Sequence, residues 1–178
     1  VVRAWDPELV EAGKVVAEFR DRYLASLVPH VEKTAERLLG GPLEVGLLQG
    51  WSAERTLEEA VEACWDRDRE RGLTHAGPHR ADLSVRFAGA PARDRISRGQ
   101  QKLAASALLL AQLRCDAELG SRVAALLVDD NLERLLAEVI DLPAQLFVTA
   151  LDPDNAALAG LPNGHRFHVE HGVVTRLI

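Results

Sequence analysis

The sequence predicts an α/β fold with a mostly parallel sheet and a protruding helical arm, on three observations. Apolar residues recur at three- and four-residue steps from Pro7 to Leu39, an Ala- and Leu-rich helical run fills Leu103 to Leu119, and two apolar runs, Val123 to Val128 and Gln145 to Ala150, flank a helical stretch. Strand, helix, strand at that spacing is a parallel βαβ unit. With 178 residues, 47% apolar and 27% charged, the chain has material for a domain with its own core, which excludes disordered and collagen-like classes.

The elements follow in order. Leu9, Val10, Val15, Val16, Phe19, Tyr23, Leu24, Leu27, Val31, Ala35 and Leu38 mark one long amphipathic helix, or two meeting near Pro29. Asp6 before Pro7 reads as its N-cap, and Gly40-Gly41-Pro42 stops it. Leu43 to Leu48 is a short strand ending at Gly50, and Ser52 caps a second helix that runs to Arg71. Leu83, Val85 and Phe87 alternate with Ser84 and Arg86, a strand turning at Gly89 and half of a hairpin. Ser97 begins a helix apolar on nearly every face, expected to be packed among other elements and to serve as core rather than as an interaction surface. After the βαβ unit, with its helix over Leu132 to Leu142, Phe167 to Val174 forms an edge hairpin turning at His171-Gly172. Residues 1–40 are the arm and 41–178 the remaining domain.

The longest uncharged run, Leu103 to Leu113, is 11 residues and contains Ser106 and Gln112, too short and too polar for a helix spanning a membrane. The N-terminus has no basic start followed by an apolar run, and a chain beginning without Met is expected to be cut from something longer; a cytoplasmic location is the expectation. Cys64 and Cys115 lie far apart without a partner at ligand spacing, so both are expected to be buried thiols. The net charge of −6 hides an uneven distribution: residues 1–63 carry 7 basic and 12 acidic groups, 64–102 carry 9 and 5, and 103–178 carry 5 and 10. The basic middle is the part that a polyanion would meet. Arg67, Arg69 and Arg71 are candidates for contacting DNA there, although they alternate with Asp66, Asp68 and Glu70 as a solvated helix face does.

Two motifs carry chemistry. The apolar strand ending at Val128 runs into Asp129 and Asp130, and in parallel sheets the carboxyl ends of strands face the ligand crevice. One acid there holds Mg²⁺, usually through water, while the next polarises a water attacking a γ-phosphate; the competing reading is Asp130 as a helix cap. Ile96-Ser97-Arg98-Gly99-Gln100-Gln101-Lys102 places a hydroxyl and unblocked amides at a helix N-terminus, an anion site, or else an ordinary serine cap. His79, in a loop entering a strand, is expected to be a structural hydrogen-bond donor. His165, His168 and His171 are spaced by three, but the surrounding Phe167, Val169 and Val173 alternate as a strand, which sets His165 and His168 on opposite faces and argues against a metal.

Together these two motifs, about 27 residues apart, resemble the ABC-type signature and the acidic strand end of the RecF family of DNA-repair proteins. The resemblance extends through Gly77-Pro78-His79-Arg80-Ala81-Asp82-Leu83, Leu103 to Gln112, Leu126 to Asp130 and Gln145 to Ala150. Trp5-Asp6 and Gln49-Gly50-Trp51 carry it over nearly the whole chain, as the C-terminal half of the family's length. It implies half of an SMC- and Rad50-like ATPase head with a helical arm, which binds DNA at duplex or single-strand/double-strand junctions, dimerises on ATP and works with RecO and RecR to load recombinase at gaps. It also implies roles. Ser97, Arg98, Gly99 and Gln100 would form the signature that contacts ATP held by the opposite subunit, Asp129 would serve Mg²⁺, Asp130 would be the base, and Thr149 would be the switch. A transporter ATPase would instead be expected to show Gly at Arg98, Glu at Asp130 and His at Thr149.

The chain departs from the family's pattern twice. No segment fits G-x-x-x-x-G-K-[ST], so the loop that cradles phosphates is not in this sequence. Asn131-Leu132-Glu133-Arg134 also follows the two acids directly, where the family carries a small-residue stretch with Glu-Leu-Asp that touches the other subunit. Either that stretch is deleted or the flanks are joined across a gap in the sequence, and retention of both acids favours the gap. The first departure also leaves room for a non-hydrolytic DNA-binding or dimerisation module that keeps the head only as scaffold.

Overall fold

The computed structural model describes residues 2–120, 125–128, 132–142, 144–150 and 164–177. They fall into two compact units, Val1–Ser121 and Arg122–Ile178.

The first unit opens with a 3₁₀ turn, Val2–Trp5, that runs directly into helix α1, Asp6–Leu39. Because Trp5 already has helical backbone angles, it occupies the cap position without a side-chain bond. Asp6 is therefore a first-turn acid favoured by the helix dipole and not the expected cap. Pro7 sits in the same turn, where its missing N–H costs nothing. Pro29 lies inside an unbroken 34-residue helix, so the alternative of two helices is set aside. Packing outweighs the lost backbone bond, since Leu27, Val31, Thr34 and Ala35 around it are buried. Gly40, at φ 73°, closes the helix by donating its N–H to the Glu36 carbonyl at 3.0 Å.

Strand β1, Leu43–Leu48, is followed by helix α2, Leu57–Arg71. Thr56 caps α2, not Ser52: Thr56 Oγ1 accepts from Glu59 N–H at 3.2 Å while the Glu59 carboxylate accepts from Thr56 N–H at 2.9 Å. Ser52 instead closes a separate turn, its carbonyl accepting from Arg55 N–H at 3.1 Å. Strand β2, Asp82–Phe87, pairs antiparallel with β1 from Leu43 opposite Phe87 to Leu48 opposite Asp82. It turns through Ala88 and Gly89, both at positive φ, into the short strand β3, Ala90–Pro91. Helix α3, Ala92–Arg95, leads into helix α4, Arg98–Glu118.

Apolar clusters along α1 hold this unit together among the described residues. Leu27, Val31 and Ala35 of α1 pack with Leu43, Ala92, Ile96 and the small α4 residues Ala104, Ala107, Ala111 and Cys115. Val10 of α1 packs with Leu57, Ala60 and Val61 of α2 and with Ala76. Polar bonds run along the α1–α4 seam: Tyr23 Oη donates to Asp116 at 2.7 Å, Arg114 Nη1 donates to the fully buried Thr34 Oγ1 at 2.8 Å, and His30 Nε2 lies 3.3 Å from Glu118. Leu103 and Leu110 of α4 are buried outside these clusters, but Leu109 is 61% exposed, so the helix is covered over a wide face and not on nearly every one as expected. Cys115 is buried as expected, whereas Cys64 is only partly covered, because α2 meets its neighbours through Leu57, Ala60 and Val61.

In the second unit, β4, Ala125–Val128, and β5, Gln145–Val148, run parallel with helix α5, Leu132–Val139, between them, the expected βαβ order. Strands β6, Arg166–Glu170, and β7, Val173–Leu177, form the expected hairpin. Its two turn residues, His171 at φ 48° and Gly172 at φ 79°, have the left-handed angles of a two-residue hairpin turn. The fold is thus mixed α/β with a helical arm, and among the described residues its parallel part is the β4–β5 pair, the β1–β2–β3 and β6–β7 sheets being antiparallel. No described helix is long and apolar enough to cross a membrane.

Candidate functional site

The serine-glycine motif folds as a helix start held from behind. Ile96 is buried, and Gln101 Nε2 donates to the carbonyls of Arg93 and Ile96 at 3.2 and 3.4 Å, which fixes the approach to α4. Ser97 Oγ accepts from Gln100 N–H at 3.3 Å, and Gln100 Oε1 accepts from Ser97 N–H at 2.9 Å. Gln100 is therefore the reciprocal member of a capping box, its side chain turned back on Ser97. The amides of Arg98 and Gly99 take no partner among the described residues, and Ser97, Arg98 and Gly99 are all exposed. A Cβ on Gly99 would meet nothing nearer than Ser97 Oγ at 4.0 Å. The contacts of this chain therefore do not require glycine there.

Thr149 follows β5, and its N–H donates to the Val128 carbonyl at 3.0 Å, extending the β4–β5 ladder by one step. It stands at the carboxyl end of the parallel pair, the end from which the chain continues into Asp129. Asp129 and Asp130 themselves lie outside the described residues. Thr149 and the Ser97–Gln100 group belong to different units.

Arg67, Arg69 and Arg71 are exposed on the last turns of α2. Arg67 Nη2 donates to Cys64 Sγ at 3.2 Å and Arg69 Nη2 lies 4.0 Å from Asp66. His79 Nε2 meets the Thr74 carbonyl at 3.0 Å, which requires the ring to donate, the structural role expected of it. His165 Nδ1 accepts from Arg176 at 2.7 Å, and His168 lies 3.6 Å from Glu170.

Sequence reasoning missed two arrangements. His75 Nδ1 lies 2.5 Å from Asp68 Oδ1, and its backbone N–H donates to Asp68 Oδ2 at 3.2 Å, so one carboxylate clasps both groups. A helix-end acid seven residues before a histidine, with Gly72 between, was the available signal. The other joins Arg20 of α1 to the turn Pro78–Arg80, where Arg20 Nη1 donates to the Pro78 carbonyl across 58 residues of chain. No local pattern announces that contact. Burial and the neighbouring Asp116 push the Tyr23 hydroxyl up to about 12. Burial also raises the Cys115 thiol, and the bond from Lys14 lowers the Glu58 carboxyl.

The chain is 42% identical over 164 residues to the DNA replication and repair protein RecF of Marinomonas sp., covering 86% of this chain and 44% of that protein. It is 40% identical over 181 residues to the RecF protein of Stenotrophomonas maltophilia, covering 96% and 50%. The chain belongs to the RecF family. It spans about half the length of the curated RecF relatives it matches, and that half is the C-terminal one. The alignment to RecF of Shewanella sediminis, 37% identical, runs over 187 residues, more than the 178 of this chain, so that relative carries residues this chain lacks. A solved structure of the recombination mediator protein RecF with ATP, in the RecFOR pathway, shares the fold at a TM-score of 0.78 and 22% identity, over 98% of this chain and 50% of that one. No family model matches the chain.

Proposed function

We propose that this chain is the half of a RecF-type DNA-repair ATPase that supplies the signature and the acidic strand end, with residues 1–40 as arm and 41–178 as head. The carrying observation is the helix start at Ser97. Its capping box occupies one serine lone pair and one inner amide, and leaves the hydroxyl proton and the Arg98 and Gly99 amides without a partner among the described residues. Three donors at the positive end of a 21-residue helix, with the Arg98 guanidinium beside them, match the γ-phosphate of ATP held by a second subunit. ATP would thereby join two copies. The relatives' names support a role in DNA replication and repair, and the solved relative with ATP supports the nucleotide.

Asp129 and Asp130 provide hard carboxylate oxygens, the donor type that Mg²⁺ takes. In this reading Asp129 holds the ion through water, Asp130 accepts the proton of the attacking water, and Thr149 senses the phosphate from the adjacent strand end. The phosphate-cradling loop lies outside this sequence, so hydrolysis belongs to the intact protein. Action at single-strand gaps with RecO and RecR completes the reading.

The test is light scattering of the intact protein with ATP and Mg²⁺. Ser97→Arg fills the approach to the helix N-terminus and should abolish ATP-induced dimers while each monomer still binds nucleotide. Dimers forming as in the wild type would reduce Ser97 to a cap and remove the support for ATP contact in trans.

A further inference from the structure

The turn Pro78–Arg80 is held from three sides although it contributes no side chain to either apolar cluster. The Gly77 N–H donates to the Gly50 carbonyl at 3.3 Å, and the two chains approach so closely that a Cβ on Gly50 would lie 2.2 Å from the Gly77 carbonyl oxygen. The Pro78 ring rests on the arm at Gly13, where a Cβ would lie 3.2 Å from Pro78 Cδ. Arg20, two helical turns further along the arm, donates to the Pro78 carbonyl, and His79 is tied to Thr74. Arg80 is the one side chain of the turn that all this holding leaves unengaged: it is exposed and has no hydrogen bond or ion pair among the described residues. Arg20 is exposed as well and pairs with no carboxylate among the described residues.

Two arginines therefore share one surface turn, Arg20 bonded to it from the arm and Arg80 carried on it. Arg20, tied to the turn, gives up little freedom on meeting a phosphate oxygen, and Arg80 adds an unengaged guanidinium, a planar fork of donors that matches phosphate, on a backbone that the turn holds in place. We propose that Arg80 and Arg20 form a contact site for the phosphodiester backbone of duplex DNA. The proposal rests on the DNA-repair reading and names where that reading meets DNA. It also gives a use to part of the positive surplus of residues 64–102, to which Arg80 contributes.

The test is fluorescence anisotropy of a labelled duplex with the intact protein over a series of salt concentrations. Each lost phosphate contact makes the dependence of log K on log salt shallower by about 0.9. Arg80→Ala should show that change with the melting temperature retained, and Arg80→Lys, which keeps the charge, should restore the wild-type slope. If the wild type binds the duplex and Arg80→Ala has the same slope, the proposal falls and the DNA-repair reading stands. If the wild type binds no DNA, both fall. Titration with inorganic phosphate distinguishes a free anion: phosphate binding lost in Arg80→Ala with an unchanged DNA slope would overturn the assignment to DNA.

Discussion

Ser97 and Gln100 satisfy each other, the serine hydroxyl accepting from the glutamine amide N–H and the glutamine side chain accepting from the serine N–H. The same exchange that starts α4 leaves the serine's hydroxyl proton unused. The bonds therefore make stability and ligand contact separable at one residue. Ser97→Ala removes the cap but adds no bulk. It should lower the stability of the intact protein by about 1 kcal/mol, read as a drop in melting temperature. A change well below a few tenths of a kcal/mol would mean that the capping box contributes little.

Gly99 separates the two roles in the opposite sense. Its Cβ position is open, so Gly99→Ala should be neutral or stabilise the helix by about 0.5–1 kcal/mol. In the intact protein the added methyl would stand where a partner's phosphate approaches, and ATP-dependent association should weaken. Thermal melting and light scattering on the same sample measure both effects. Stabilisation with unchanged association would show that nothing approaches Gly99.

Tyr23 predicts a pH dependence. Its hydroxyl is held protonated in the folded state, up to about 12 against 10.0 for the free side chain, by burial first and by its bond to Asp116 second. A raised folded value means that the contribution is fully present below pH 10.0 and is lost as pH rises through about 12. Denaturant unfolding of the intact protein across that window should show a fall in stability that Tyr23→Phe diminishes. An identical fall in the variant would assign it to other groups.

Gly50 and Gly46 make a paired test of backbone approach. Gly50 has φ +95° and no room, with the Gly77 carbonyl 2.2 Å from its Cβ position, whereas nothing lies within 4 Å of that position at Gly46. Gly50→Ala should destabilise by more than the roughly 1–3 kcal/mol of backbone strain alone, because the turn carrying Arg80 must also shift. Gly46→Ala, in strand β1, should be neutral or slightly favourable. Comparable melting temperatures for the two variants would contradict this geometry.

The elements that the sequence determined by itself are those whose bonds join near neighbours. The arm follows from its apolar period and from Gly40, and the helix start at Ser97 from a serine with glutamine three residues on, since such bonds close within one turn whatever the remainder of the chain does. The start of α2 was equally local in the Thr56–Glu59 pair, and taking Ser52 for the cap mistook a preceding turn for the helix. The tertiary structure alone decided that Pro29 would lie within a continuous helix, that Leu109 of α4 would remain uncovered, and that β1 would pair antiparallel with β2. It alone brought Arg20 to Pro78 across 58 residues. Each of these depends on which surfaces meet, and that is set by the packing of α1 against α2, α4 and the turn, which no window of a few residues contains.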